Sequence, residues 1–160
     1  MNETIAWFAD PTTWQGQTGV PWRLVEHLAM VGVSILAATL VALPVGLWIG
    51  HTGRGANIAI SLANIGRAVP SYAVIVIILP FSLAFSRDLG LNVIPTFLAM
   101  VLLAIPPILV NAYAGVRGVD RDLVEAARGM GLRERQILSE VEIPLAGPVI
   151  VGGFRTAVLN

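Results

Sequence analysis

The chain has 160 residues, of which 56% are hydrophobic and only 12% are charged. Soluble domains are typically about 25% charged, so this composition excludes an ordinary water-soluble globule and favours a protein that has the bilayer as its solvent. The formal net charge is zero, which gives no electrostatic reason to expect a nucleic-acid partner. The absence of cysteine excludes disulfides, thiol catalysis and cysteine-ligated metals.

The basic residues limit what chemistry the chain can perform, because all ten of them are arginine. A Walker A phosphate-binding loop requires a lysine. Any ATP chemistry associated with this chain must therefore be supplied by another polypeptide.

The N-terminal stretch, residues 1–27, has no basic residue before Arg23, unlike a secretory signal peptide. We therefore expect it to be a retained extracytoplasmic or interfacial segment that precedes a membrane anchor. Aromatic side chains are frequent at membrane interfaces, although core aromatics would give the same pattern. The aromatic residues before and within the first apolar run are Trp7, Phe8, Trp14, Trp22 and Trp48.

Hydropathy divides the rest of this single predicted membrane domain, residues 1–160, into spans. Residues 28–50 carry no charge; as a helix of about 34 Å they would cross a hydrocarbon core of about 30 Å. A second span with a cytoplasmic extension is expected over residues 56–86, and a third, kinked at a proline pair, over residues 91–116. Residues 145–160 are expected to begin a fourth span that the chain leaves incomplete at its C-terminus.

A charged segment, residues 117–144, separates the third and fourth predicted spans and contains five arginines and six acidic residues. Together with the turn after the first span it carries six arginines, against two on the opposite side. Arginine is enriched in cytoplasmic loops. The sequence therefore predicts that this segment is cytoplasmic and that the N-terminus is extracytoplasmic.

The charged segment has the pattern of two amphipathic helices separated by a glycine. Asp122 and Glu125 have the spacing of a capping box for the first helix, and Gly131 can adopt the left-handed conformation that ends it. The second helix is expected to end at Pro144. Each helix has an apolar stripe to bury: Leu123, Val124, Ala127 and Met130 on the first, and Ile137, Leu138 and Val141 on the second.

The spacing of Glu125-Ala126-Ala127, Gly131, Ile143 and Pro144 resembles the EAA loop of binding-protein-dependent ATP-binding-cassette importer permeases. In that family pattern two aliphatic positions precede the proline, and here Val141 and Ile143 are close substitutes. The alternative is a solvated connection in which Glu125 does no more than cap a helix.

The resemblance implies an all-α, polytopic transmembrane helix bundle like that of type I importer permeases. It further implies that the loop inserts a coupling helix into a groove on a separate cytoplasmic ATPase subunit. The residues implied for this coupling are Glu125, Ala126, Ala127, Gly131, Ile143 and Pro144. The other implied partners are an extracytoplasmic substrate-binding protein, a second permease subunit of the same or a related sequence, and the lipid of the cell membrane.

A second resemblance narrows the solute. The segment from Arg67 through Pro70 to Ser71 is similar to one shared by permeases for quaternary-amine osmoprotectants (glycine betaine, carnitine and choline) and by permeases for methionine and polar amino acids. The first branch is the better match, and amino-acid import is the alternative. With Tyr72 and Asn111, these three residues are candidates for the translocation pathway. For Arg67 the alternative is contact with lipid head groups, and for Asn111 it is a hydrogen bond between helices.

Other functional classes have less support. An intramembrane enzyme would need a constellation such as HExxH or GxSxG, and the sequence contains neither. A scaffold or a channel that does not use ATP would have no reason to carry the EAA spacing. His27 and His51, at the ends of the first span, are expected to be solvated. We therefore predict a transport subunit that is not an enzyme and has no cofactor, metal site or nucleic-acid partner.

Overall fold

The structure is a computed structural model that describes residues 2–57, 59–61, 64, 71–85 and 93–159. Every regular element within these ranges is helical, which confirms the all-α class. The helices are α1 (Asn2–Ala9), a short 3-10 helix (Pro11–Trp14), α2 (Val20–Thr52), α3 (Ser71–Phe85), α4 (Val93–Arg117), α5 (Arg121–Gly129), α6 (Glu134–Gln136) and α7 (Ile143–Leu159). A π-helical turn, Ile137–Glu142, joins α6 to α7.

Three helices of the described part are long and apolar enough to cross a membrane: α2, α4 and the continuous helix Glu134–Leu159. Helix α2 begins at Val20, ahead of the span expected over residues 28–50, and α3 occupies the later part of the expected second span. Much of the rest of that second span lies outside the described residues. The limits of the spans within the bilayer stay predictions.

The first of two compact units ends at Val33 and contains an aromatic cluster. The rings of Trp7 and Phe8 meet edge to face with centroids 4.9 Å apart, and the Trp14 indole donates a hydrogen bond to the Phe8 carbonyl at 2.9 Å. Asp10 caps the 3-10 helix by accepting from the Thr12 backbone N–H, and this bond lowers the pKa of the Asp10 carboxyl. All three rings are about half exposed, so the cluster presents apolar surface outward.

The second unit starts at Ser34 and is built around α4. One stripe of α4, including Leu109 and Val116, packs against the second half of α2, whereas the opposite stripe, including Asn111 and Gly115, packs against α7. Helix α3 also contacts α4. The core of this unit therefore lies along α4.

Glycines bring α2 and α4 into close contact. A Cβ atom on Gly46 would lie 2.6 Å from the Leu109 carbonyl oxygen, and one on Gly50 would lie 2.7 Å from Cβ of Val116. Real Cβ atoms do not approach other heavy atoms so closely, so both positions need glycine at this helix separation. The Gly46–Gly50 pair thus has the small-residue spacing of close-packed membrane helices, and it is used within this chain.

The structure corrects the predicted end of the second amphipathic helix, which continues past Pro144 to Leu159. A proline inside an α-helix lacks an N–H and its ring clashes with the carbonyl four residues earlier. Here the preceding turn is π-helical, and the Ile143 N–H bonds to the carbonyl of Leu138, five residues earlier. The wider turn makes room for the proline ring, so the charged segment and the expected fourth span share one helix.

Candidate functional site

The EAA-like segment folds into a helical hairpin, residues 120–145, which we call the charged hairpin. Helix α5 is its first arm, and α6 with the π turn is its second. Asp120 caps α5, because its Oδ1 accepts a hydrogen bond from the Asp122 backbone N–H at 2.9 Å. The predicted capping box of Asp122 and Glu125 is wrong, since the helix already begins at Arg121.

The turn between the arms is closed by backbone hydrogen bonds around Gly131, whose φ is +89°. The Leu132 N–H donates to the Ala127 carbonyl at 3.2 Å, and the Gly131 N–H donates to the Arg128 carbonyl at 3.0 Å. These two bonds define a Schellman motif. The predicted left-handed glycine at residue 131 is therefore confirmed as the end of the first helix.

The two arms share a small apolar core. Ala127 is only 2% exposed, so this predicted coupling residue faces mainly the interior of the hairpin. The buried members of the core are Val119, Val124, Ala127 and Ile137, with Leu132 and Val141 packed alongside. Half of the predicted stripe on α5 is thus buried within the chain itself.

The outer side of the hairpin carries an open apolar groove of about 370 Å³. Leu123 and Met130, which belong to the same predicted stripe, are 50% and 75% exposed along it. The lining residues are Leu123, Ala126 and Ala127 from α5, Met130 directly after it, Glu140 and Val141 from the π turn, and Pro144 and Leu145 from the start of α7. Of the predicted coupling residues, Ala126 and Pro144 are exposed in this groove, Glu125 is exposed beside it, and Ile143 is partly buried.

A two-pronged ion pair spans the hairpin turn. Arg128 donates from Nε to Glu134 Oε1 at 2.8 Å and from its NH2 group to Glu134 Oε2 at 3.0 Å. The hydrogen bonds to Glu134 raise the pKa of the Arg128 guanidinium further above its usual range. Both side chains are more than half exposed, so solvent screening limits what the pair adds to stability. Its fork geometry nonetheless orients the start of the second arm.

Glu142 of the hairpin, to which the sequence analysis gave no role, contacts His51 of α2. The Glu142 side chain is completely buried, and its Oε2 lies 2.5 Å from Nδ1 of His51 at the end of α2. The other ring nitrogen of His51 lies 3.2 Å from Glu134. The prediction that His51 is solvated is wrong, because only 14% of its side chain is exposed. No local pattern distinguishes Glu142 from the other acidic residues of the charged segment, and none connects it to residue 51.

The candidate pathway residues are only partly within the structure. Arg67 and Pro70 lie outside the described residues, and Ser71 and Tyr72 begin α3 with side chains that also lie outside the description. The Asn111 amide donates to the carbonyl of Pro107 at 2.8 Å, one turn earlier in α4, and its Cβ packs on α7. Its role in a pathway stays a prediction. Within the described residues, no group of three or more His, Cys, Asp or Glu is arranged to hold a metal ion.

Residues 42–160 match the family described as binding-protein-dependent transport system inner membrane component. The chain is 32% identical over 138 residues to the choline transport system permease protein OpuBB of Bacillus subtilis, covering 86% of this chain and 60% of that protein. It is 35% identical over 130 residues to the carnitine transport permease protein OpuCB of Listeria monocytogenes, covering 81% and 56%. It is 30% identical over 144 residues to the glycine betaine/proline betaine transport system permease protein ProW of Escherichia coli, covering 90% and 39%.

A solved structure of the MetNI methionine ABC transporter, in inward-facing conformations, has the same fold. Its TM-score is 0.75 at 24% identity, and the alignment covers 94% of this chain and 71% of that chain. The chain therefore has the transmembrane helix bundle of an ABC importer permease, and it spans 60% or less of the three curated relatives. The family match includes the whole charged hairpin and the two helices that flank it in the chain, α4 and α7. This chain is a multi-pass membrane protein that belongs to the family of binding-protein-dependent transport system inner membrane components.

Proposed function

We propose that this chain is a permease subunit of an ATP-driven importer and that its charged hairpin docks a separate ATPase subunit. The observation that carries the proposal is the apolar groove on the outer side of the hairpin. One apolar side of α5 is buried in the hairpin core, yet Leu123 and Met130 remain exposed on the other side. Contiguous exposed apolar surface on a segment predicted to face the cytoplasm is typical of a protein-binding site.

The composition of the chain indicates which subunit transports the solute and which hydrolyses ATP. The chain has no lysine and so cannot build a Walker A loop, and the curated relatives are permease proteins by name. These two observations support a transport subunit, with ATP hydrolysis in the docked subunit. An extracytoplasmic binding protein and a second permease subunit complete the importer.

The hairpin is connected to the membrane helices so that a movement of the hairpin would move α7. Its second arm is continuous with α7, since one helix runs from Glu134 to Leu159. Helix α7 in turn packs closely on α4, where a Cβ on Gly153 would lie 2.7 Å from Cβ of Asn111. Closure of two ATPase subunits would thus displace the hairpin and tilt α7 against α4.

To test docking, the groove is filled while the fold of the hairpin is kept. Ala126→Trp places a large ring at an exposed position that lines the groove, so we expect the amount of ATPase that co-purifies with the full-length permease to fall by about tenfold or more. Ser139→Trp is the control, because Ser139 is exposed on the second arm outside the groove. If Ala126→Trp retains as much ATPase as the control, the docking surface lies elsewhere.

For the solute, we propose a quaternary-amine osmoprotectant, because the relatives named above transport choline, carnitine or betaines according to their names. The methionine transporter is similar in fold alone, at 24% identity. The full-length permease, reconstituted in vesicles with its ATPase and binding protein, should import labelled glycine betaine, carnitine or choline, and excess methionine should not compete. Import of methionine in place of all three quaternary amines would reverse the assignment.

A further inference from the structure

Glu142 is a buried carboxyl group that belongs to neither the lining of the groove nor the contacts that close the hairpin turn. Its side chain has no exposed surface, and its Oε1 has no hydrogen-bond partner among the residues that the structure describes. A buried carboxylate is costly unless a partner or a proton compensates it. The contact between Oε2 and Nδ1 of His51 is therefore the interaction that makes this position tolerable.

His51 presents both ring nitrogens to carboxylates, with Glu142 at Nδ1 and Glu134 at Nε2. Each ring nitrogen can therefore share a hydrogen bond with the carboxyl group that it faces. Glu134 also binds Arg128. The four side chains Arg128, Glu134, His51 and Glu142 form a continuous row of paired polar groups, which we call the charge row.

The charge row joins elements that are distant in sequence. His51 is in the last turn of α2, and Glu142 is the last residue of the π turn, directly before α7. Near the same place Gly50 of α2 packs on Val116 of α4. The end of α2 is thus held to α4 by apolar contact and to the second arm of the hairpin by His51.

We propose that His51 is a positioning residue of the importer: it holds the end of α2 to the second arm of the hairpin, so that a movement of the hairpin displaces α2 as well as α7. The inference rests on the proposed function, because ATPase docking would drive that movement. Helix α7 follows the hairpin through covalent continuity, whereas α2 follows through this polar contact. Loss of the contact would leave ATP hydrolysis intact and weaken its conversion into transport.

The test uses the full-length permease with its ATPase and binding protein in vesicles, and it measures import per ATP hydrolysed together with ATPase co-purification. His51→Phe keeps a ring and removes both contacts. His51→Asn places an amide near the former Nδ1 and so keeps a donor for Glu142, whereas His51→Gln places its amide near Nε2, towards Glu134. His27→Phe is the matched control, because His27 is exposed on the same helix.

We expect His51→Phe to keep its ATPase and to lower import per ATP by about tenfold, the scale expected from losing a hydrogen bond to a buried charge. His51→Asn should stay within about twofold of the unmodified permease, His51→Gln should behave like His51→Phe, and His27→Phe should have no effect. If His51→Phe leaves import per ATP unchanged, or if His51→Asn is as defective as His51→Phe, the proposal is wrong.

A double variant and the retention of ATPase distinguish a positioning role of His51 from a role in folding or in docking. If His51→Phe fails to assemble, the double variant His51→Phe/Glu142→Leu removes the unpaired buried carboxylate and should assemble. Its import per ATP should remain low, and full recovery would overturn the positioning role. If the folded His51→Phe permease does not retain its ATPase, His51 serves docking and the positioning role is wrong. Failure of the unmodified permease to retain any ATPase would contradict the proposed function before the variants are compared.

Discussion

Gly131 is the residue at which the charged hairpin reverses direction, and its φ of +89° is a conformation in which a side chain is strained. A Cβ at this position would meet no atom within 4 Å, so the cost of Gly131→Ala is conformational, roughly 1 kcal/mol. We expect hydrogen exchange of the amides that close the turn, including that of Leu132, to become about fivefold faster. Exchange measured by mass spectrometry on the purified permease checks this.

Gly129 is the control for that experiment. It also has open space around its Cα, but it ends α5 in the helical region. Alanine is favoured over glycine in helices, so Gly129→Ala should not accelerate exchange. Equal acceleration in both variants would mean that the left-handed backbone at Gly131 does not limit the stability of the turn.

Single residues also show where local patterns stop being informative. The Gly131 turn was predictable, because a left-handed helix end depends on the few residues around it. The helix cap was predicted at Asp122 and is at Asp120, because the two residues have the same side chain and lie two positions apart. The burial of Glu142 against His51 joins residues 91 positions apart, so it depends on how α2 packs against the second arm.

At the scale of elements, composition and periodicity predict the helices, but they do not predict how consecutive helices are connected. The long apolar stretches predicted the helices α2 and α4, whose uncharged interiors leave few alternatives in a bilayer. Pro144 suggested a helix end on local grounds. A π turn just before it removes the clash, and the sequence pattern carried no sign of that extra residue. The pathway residues Arg67 and Pro70 were predicted by resemblance and stay predictions.

The packing of α7 on α4 can be tested with two neighbouring glycines. A Cβ on Gly153 would lie 2.7 Å from Cβ of Asn111 and 3.0 Å from the Pro107 carbonyl oxygen, whereas a Cβ on Gly152 would meet nothing within 4 Å. Gly153→Ala should therefore destabilise the permease by roughly 1–3 kcal/mol through overpacking. Gly152→Ala should be neutral or slightly stabilising. Unfolding midpoints in detergent compare the two, and equal midpoints would show that the helices separate without cost.

At the scale of the whole molecule, six arginines lie in two segments of the second unit that meet near the ends of α2 and α4. The guanidinium of Arg117, at the end of α4, lies 3.1 Å from where a Cβ of Gly53 would be, so the turn after α2 and the start of the charged hairpin are neighbours. The six arginines in this turn and in the charged segment, residues 117–144, are Arg54, Arg117, Arg121, Arg128, Arg133 and Arg135. Proximity supports their placement on one side of the membrane, and their sign predicts the cytoplasmic side.

Single cysteines test this orientation, and residues 1–160 contain no cysteine that would add to the labelling. Arg133 is exposed in the charged hairpin, and Gln17 is exposed in the N-terminal unit. In intact cells, a membrane-impermeant thiol reagent should label Gln17→Cys and leave Arg133→Cys unlabelled until the membrane is opened. The reason is that arginine-rich loops are retained in the cytoplasm, whereas the acidic N-terminus has no such bias. Labelling of Arg133→Cys from outside would place the groove away from any cytoplasmic ATPase, and would therefore contradict both the topology and the docking proposal that depends on it.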